Sequence, residues 1–168
     1  MKKKTREQDI YYFDSKEQED TGRCAGMLRQ MISEIMQREN RKGVLLFCIG
    51  TDRSTGDSLG PLTGHKLKAA GLEDCFVQVV GTLDCPVHAM NLEQAVFMVH
   101  RCYPEYVIVA VDASVGQTEH VGCITLGRGA LRPGLGVSKE LQAVGDIFIT
   151  GIVGGYGSYD PLMLQSVR

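Results

Sequence analysis

Several familiar signatures are missing from this 168-residue chain, and each absence removes a class of function. No apolar run approaches the ~20 residues that a membrane-spanning helix needs. The opening MKKKTREQDI has a basic cluster but no apolar segment behind it, so it does not read as a secretory signal. The net charge is only -2, which implies no general attraction to nucleic acid or to an anionic membrane. Six cysteines (Cys24, Cys48, Cys75, Cys85, Cys102, Cys123) are scattered, with no C-x-x-C pair. A disulfide framework or a zinc knuckle would group them, so they read as reduced, mostly buried thiols of a cytosolic protein. The dinucleotide fingerprint G-x-G-x-x-G is absent.

What remains is a chain that is 43% hydrophobic and 23% charged, an ordinary globular composition. Its length suits one domain that buries roughly 70% of its unfolded surface. Residues 1–20 are polar and read as a flexible arm, and 21–168 as a single domain without repeat or linker. Leu28, Met31, Ile32 and Ile35 recur at helical spacing and predict an amphipathic helix over about Gly22 to Asn40, capped by Gly43. VLLFCIG, residues 44–50, is a continuous apolar run, the pattern of a central parallel strand covered on both faces. A helix is expected from Ser58 to Ala70, a strand over Cys75–Gly81, a helix from about His88 to Cys102 and a buried strand over Tyr106–Val111 ending in Asp112. Further strands are expected at Val121–Leu126 and Asp146–Val153, with a short segment around Ser138–Val144 between them. Strands alternating with helices predict an α/β domain with a mostly parallel sheet and helices on both faces. The remaining GGYGSYDPLMLQSVR is too little for a closing helix.

In such sheets, ligands bind beyond the carboxyl ends of the strands. The densest chemistry there is GTDRSTGDSLGP, residues 50–61. It is not a phosphate loop. Gly50 and Gly56 are separated by five residues rather than four, and Asp57 stands where the lysine belongs. Asp57 or Ser58 can cap the following helix, and Pro61 fits its first turn. Asp112 ends the most apolar strand of the chain, where an ionised carboxylate is costly without a partner or a purpose. If their strands are neighbours, Asp57 and Asp112 face one another. One apparent pKa then rises, and the pair can take a proton from water and return one to a leaving amine. Metal or amine binding stays open for the same pair. Asp84, Cys85 and His88 share the loop TLDCPVHAMN, where Cys85 is either a nucleophile, a soft ligand or structural. His65, His100 and His120 read as ordinary surface or partly buried histidines.

FCIGTDRSTGDSLGPL, GTLDCPVHAMNLE, VIVAVDASVG, GRGALRPGLGVSKEL and GDIFITGIV, in that order, resemble the sporulation proteins of the YyaC type over about residues 43–157. That family is more distantly similar to the germination protease of spore formers and to hydrogenase maturation endopeptidases. The resemblance implies a three-layer α/β/α fold with a phosphorylase/hydrolase-like sheet. It implies that Asp57, in DSLGP, and Asp112, in VDAS, activate water for peptide-bond hydrolysis. Thr55, Ser58, Thr82, His88 and Ser114 then line a cleft for a protein or peptide substrate, and backbone amides near Ser58 steady the oxyanion. No cofactor is expected. No metal is expected either, because the loop where the maturation endopeptidases add a histidine reads GALRPGLGVSKEL. The expected setting is the cytoplasm of the mother cell or forespore of a spore-forming bacterium, acting in sporulation or germination. A non-catalytic relative that uses the same cleft to bind a peptide or protein is the alternative, and a homo-oligomer stays open.

Overall fold

A computed structural model describes residues 10–133 and 142–156 of the chain. Within them run β1 (Ile10–Asp14), α1 (Gln18–Glu39), β2 (Gly43–Cys48), α2 (Leu59–Ala69), β3 (Val77–Val80), α3 (Leu92–Cys102), β4 (Tyr106–Gly116), β5 (Cys123–Arg128) and β6 (Ile147–Gly155). Short 3-10 turns occupy Thr55–Asp57 and Thr118–His120. The strands form one six-stranded mixed sheet in the order β1-β5-β6-β4-β2-β3. The run β6-β4-β2-β3 is parallel throughout, whereas β5 is antiparallel to both β6 and β1. Among the described residues the fold is therefore α/β, with six strands and three helices. No helix among them is long and apolar enough to cross a membrane.

The central strands are apolar on both faces because both faces are covered. Leu45, Phe47 and Ile49 of the first apolar run share a core with Ile108 and Ala110 of β4 and with Leu92, Val96 and Val99 of α3. The alternate residues Val107 and Val109 pack instead with Met31 and Ile35 of α1, Phe13 of β1 and Leu126 of β5. Cys48 and Val111, on that second face, pack with Leu67 of α2. Successive strand residues point to opposite sides, so α3 lies over one face, and α1 and α2 over the other. Each fully buried Leu or Phe contributes about 2 kcal/mol to this arrangement.

The structure departs from the sequence reading at several points. Residues 10–20 are not an arm: β1 pairs with β5 from Ile10 to Asp14, and α1 starts at Gln18. Phe13 is buried at 2% exposure and Met31, Ile35 and Leu126 pack around it, whereas Ile10, Tyr11 and Tyr12 are exposed, so the run IYYFD shows no period-2 alternation. Residues 1–9 lie outside the described residues. Helix α1 ends at Asn40, in the left-handed conformation (φ 51°), whose amide donates to the Met36 carbonyl, and Gly43 starts β2 instead of capping. Helix α3 begins at Leu92, four residues later than expected, because His88 and Asn91 are used in a turn. Three cysteines, Cys75, Cys85 and Cys102, are exposed, and only Cys48 is fully buried, with all six in the free form. Most of the segment expected around Ser138–Val144, and the tail beyond Tyr156, lie outside the described residues.

Candidate functional site

β2 and β4 are hydrogen-bonded neighbours, Gly43–Cys48 alongside Tyr106–Val111. The loop leaving β2 therefore arrives beside the C-terminal half of β4. Its path depends on two glycines. Gly50 has φ +136°, and a side chain there would meet the Asp57 carbonyl. Gly60 lies against the Ile49 backbone so closely that a Cβ has no room, which lets the first turn of α2 rest on the end of the strand. The Thr51 amide donates to the Asp57 carbonyl (3.0 Å) and the Asp57 amide to the Ser54 carbonyl (3.0 Å). Together these bonds close the loop into a compact turn with Asp57 as its last residue.

Neither Asp57 nor Ser58 caps α2. The Ser58 hydroxyl donates instead to the Thr55 carbonyl (2.7 Å), and the helix has no side-chain cap. The capping alternative for Asp57 is thereby removed, and its carboxyl is left half-buried beside β4. Burial raises the Asp57 pKa, while the Thr51 amide and the His88 ring draw it back down.

Asp112 is not at a strand end. β4 continues to Gly116, so Asp112 sits inside the strand, 6% exposed. It lies on the same face as Ile108 and Ala110, and the Ala113 amide donates to its Oδ1 (2.8 Å). No ion pair involves it among the described residues. Desolvation first, and the Asp57 carboxylate second, push its pKa up to about 8, with the Ala113 amide opposing. The two carboxyls are thus electrostatically coupled. At neutral pH the buried member therefore keeps its proton.

His88 reaches the site because its loop is stitched to the end of β2. Ile49 bridges to Val87, and the Gly50 amide donates to the Val87 carbonyl (2.7 Å). Asn91 pins the turn, accepting from the His88 amide (2.8 Å) and donating to the Pro86 carbonyl (3.0 Å). The Met90 amide donates to His88 Nδ1 (3.3 Å).

The other predicted lining residues have distinct placements. Thr82 is buried, and its hydroxyl accepts the Cys85 amide (3.3 Å), which holds the turn before His88. Thr55 is exposed at the start of the 3-10 turn. Ser114 is partly exposed two residues beyond Asp112 on the same strand. Asp84 is turned out to solvent, 3.9 Å from His65, and so stands apart from the pair. Cys85 is exposed on the same turn. Among the described residues no group of three or more His, Cys, Asp or Glu side chains is arranged to hold a metal ion.

Two residues that the sequence reading passed over stand beside the pair. Thr150 of β6 is the register partner of Asp112, and Thr125 of β5 is the partner of Thr150. Both are buried. Their signal was a hydroxyl within an otherwise apolar strand, the feature that singled out Asp112.

A family model described as "Protein of unknown function (DUF1256)" matches residues 12–168. The chain is also 42% identical over 145 residues to a Bacillus subtilis (strain 168) protein described as "Uncharacterized protein YyaC", covering 86% of this chain and 70% of that one. With nearly the whole domain matched, including both aspartate-bearing segments, the chain belongs to the DUF1256 family, of the YyaC type.

Proposed function

We propose that this protein is a peptidase that uses Asp57 and Asp112 to activate water, acting on a protein or peptide in the cytoplasm of a sporulating or germinating cell. One observation carries the reading: a buried carboxyl, without a cationic partner among the described residues, has its pKa raised by the carboxylate of Asp57, which follows the neighbouring parallel strand. Such a pair shares one proton near neutral pH. The ionised Asp57 takes a proton from a water molecule, whose oxygen attacks the peptide carbonyl carbon. Asp112, protonated, gives its proton to the departing amine as the C–N bond breaks. The proton held by Asp57 then returns to Asp112 and restores the pair. The backbone amides of Leu59 and Gly60, in the first turn of α2 where the helix supplies no acceptor, are suited to the oxyanion. A three-layer arrangement of the phosphorylase/hydrolase kind, with α3 over one face and α1 and α2 over the other, agrees with this reading.

The test is direct. The purified chain is incubated with a defined mixture of unstructured peptides and acid-soluble spore proteins, and new termini are read by mass spectrometry. Cleavage that disappears in both Asp57→Asn and Asp112→Asn is expected. Cleavage that survives either substitution removes the mechanism. Saturable peptide binding without turnover favours the non-catalytic alternative in the same cleft.

A further inference from the structure

Proton counting along a row of hydroxyls beside Asp112 yields an assignment that the aspartate pair alone does not. Ser114, Thr150 and Thr125 lie on three neighbouring strands, β4, β6 and β5. The Ser114 hydroxyl donates to Thr150 Oγ1 (3.1 Å), and Thr150 Oγ1 and Thr125 Oγ1 share a second hydrogen bond (2.6 Å). The first bond is diagonal. The register partner of Ser114 is Ile152, whereas Thr150 is the partner of Asp112. Ser114 therefore leans back along β4 to the level of Asp112, on the face that both share.

A serine hydroxyl has one proton and two lone pairs. The Ser114 proton is committed to Thr150, which is buried and itself held by Thr125. Ser114 is partly exposed, so what it offers the cleft is acceptor capacity alone. Its proton is at the same time withheld from Asp112, whose Oδ1 has only the Ala113 amide as donor among the described contacts. A hydroxyl donating to that carboxyl would favour its ionised form and remove the proton that the leaving amine needs.

We propose that Thr150 is a positioning residue: by accepting the Ser114 proton it keeps Asp112 in its acid form and presents Ser114 as an acceptor for a substrate N–H. The ligand class follows. The position beside Asp112 takes a hydrogen-bond donor, such as the N–H of a secondary amide, and rejects an N-alkylated amide such as the bond preceding proline. This chemistry rests on the aspartate-pair reading above, but the test below needs no turnover.

The full chain is labelled with 13C at the aspartate carboxyls, and the Asp112 signal is assigned by its loss in Asp112→Asn. Its titration is then followed in three variants. Thr150→Val keeps the shape but removes the acceptor, which frees the Ser114 proton for Asp112, and the midpoint is expected to fall by roughly one pH unit. Thr150→Ser retains the acceptor and is expected to titrate as the wild type. Thr150→Val combined with Ser114→Ala has no proton to release, and its midpoint is expected to return to the wild-type value. An unmoved midpoint in Thr150→Val overturns the proposal, and so does a shift that persists in the double variant. Expected titrations with no peptide cleaved would remove the hydrolase reading and leave the Thr150 assignment standing. Cleavage with an unmoved titration would do the reverse.

Discussion

Asp146 and Asp112 sit at opposite ends of the parallel sheet, one just before β6 and the other deep in β4. Asp146 is tied into structure. Its Oδ2 accepts the Ile108 amide (2.9 Å), and the Arg41 guanidinium stands 4.0 Å from its Oδ1 while also donating to the Pro104 and Tyr106 carbonyls. Asp112, four residues beyond Ile108 along β4, is more deeply buried, has no cation paired with it among the described residues and feels the charge of the Asp57 carboxylate. One aspartate contributes to folding, and the other is held against its own electrostatic preference. Burying a charge in that way costs stability, and perturbed carboxyls in a cleft are candidates for chemistry.

The largest expected contrast is in activity. Asp112→Asn keeps the shape and the Ala113 hydrogen bond but has no acid proton to give. Turnover of any peptide found by mass spectrometry is expected to fall by about 10²–10⁴-fold. Asp146→Ala, at the other end of the sheet, is expected to leave turnover within a few-fold once the loss of folded protein is taken into account.

Stability reverses the ranking, and pH separates the two sites. The folded pKa of Asp112 is raised, so the unfolded chain loses this proton first as pH rises. The associated stability is fully present below the unfolded value near 3.8 and is lost progressively up to about 8. Asp112→Asn removes this term. Its unfolding free energy is expected to match the wild type near pH 3.5 and to exceed it increasingly towards pH 8, by several kcal/mol at most. A variant that is less stable than the wild type at pH 8 would contradict the electrostatic account. Asp146→Ala is expected to destabilise at neutral pH by about 1–3 kcal/mol, because the Ile108 amide loses its acceptor. Chemical denaturation of both variants at one pH gives the comparison.

The two regions also differed in how legible they were. The buried strands could be read from continuous apolar runs, because covering both faces of a parallel sheet leaves no polar alternation to disguise them. Asp57 and Asp112 could be read for the complementary reason: a carboxyl in or just past such a run has few structural uses. β1 was not legible, since a short edge strand that buries only Phe13 and exposes Ile10, Tyr11 and Tyr12 has no polar–apolar alternation to mark it. The hydroxyl row was not legible either. Thr125, Thr150 and Ser114 are brought together by strand order, with β5 and β6 inserted between β1 and β4, and pairing of that range is not written in local periodicity. The same limit explains Ser58. Its residue type predicts a cap, but the 3-10 turn before it offers the Thr55 carbonyl first.

The smallest expected effect sharpens the comparison within the site itself. His88 and His65 each lie near a carboxylate, but in different surroundings. His65 and Asp84 are solvent-exposed at 3.9 Å, a pairing worth little against water. His88 is partly buried on a turn fixed by Asn91, Val87 and Gly50, and its ring lowers the pKa of the half-buried Asp57. In the proposed mechanism Asp57 must be ionised to take the water proton, so its titration sets the acid limb of the kcat/KM profile. His88→Gln removes the imidazole but leaves the loop's backbone bonds in place. Asp57 then holds its proton to higher pH, and the acid limb is expected to move upward by less than about one unit. His65→Gln is expected to leave the limb where it is. A downward shift in His88→Gln would mean that the imidazole takes the water proton itself, with Asp57 as its orienting partner.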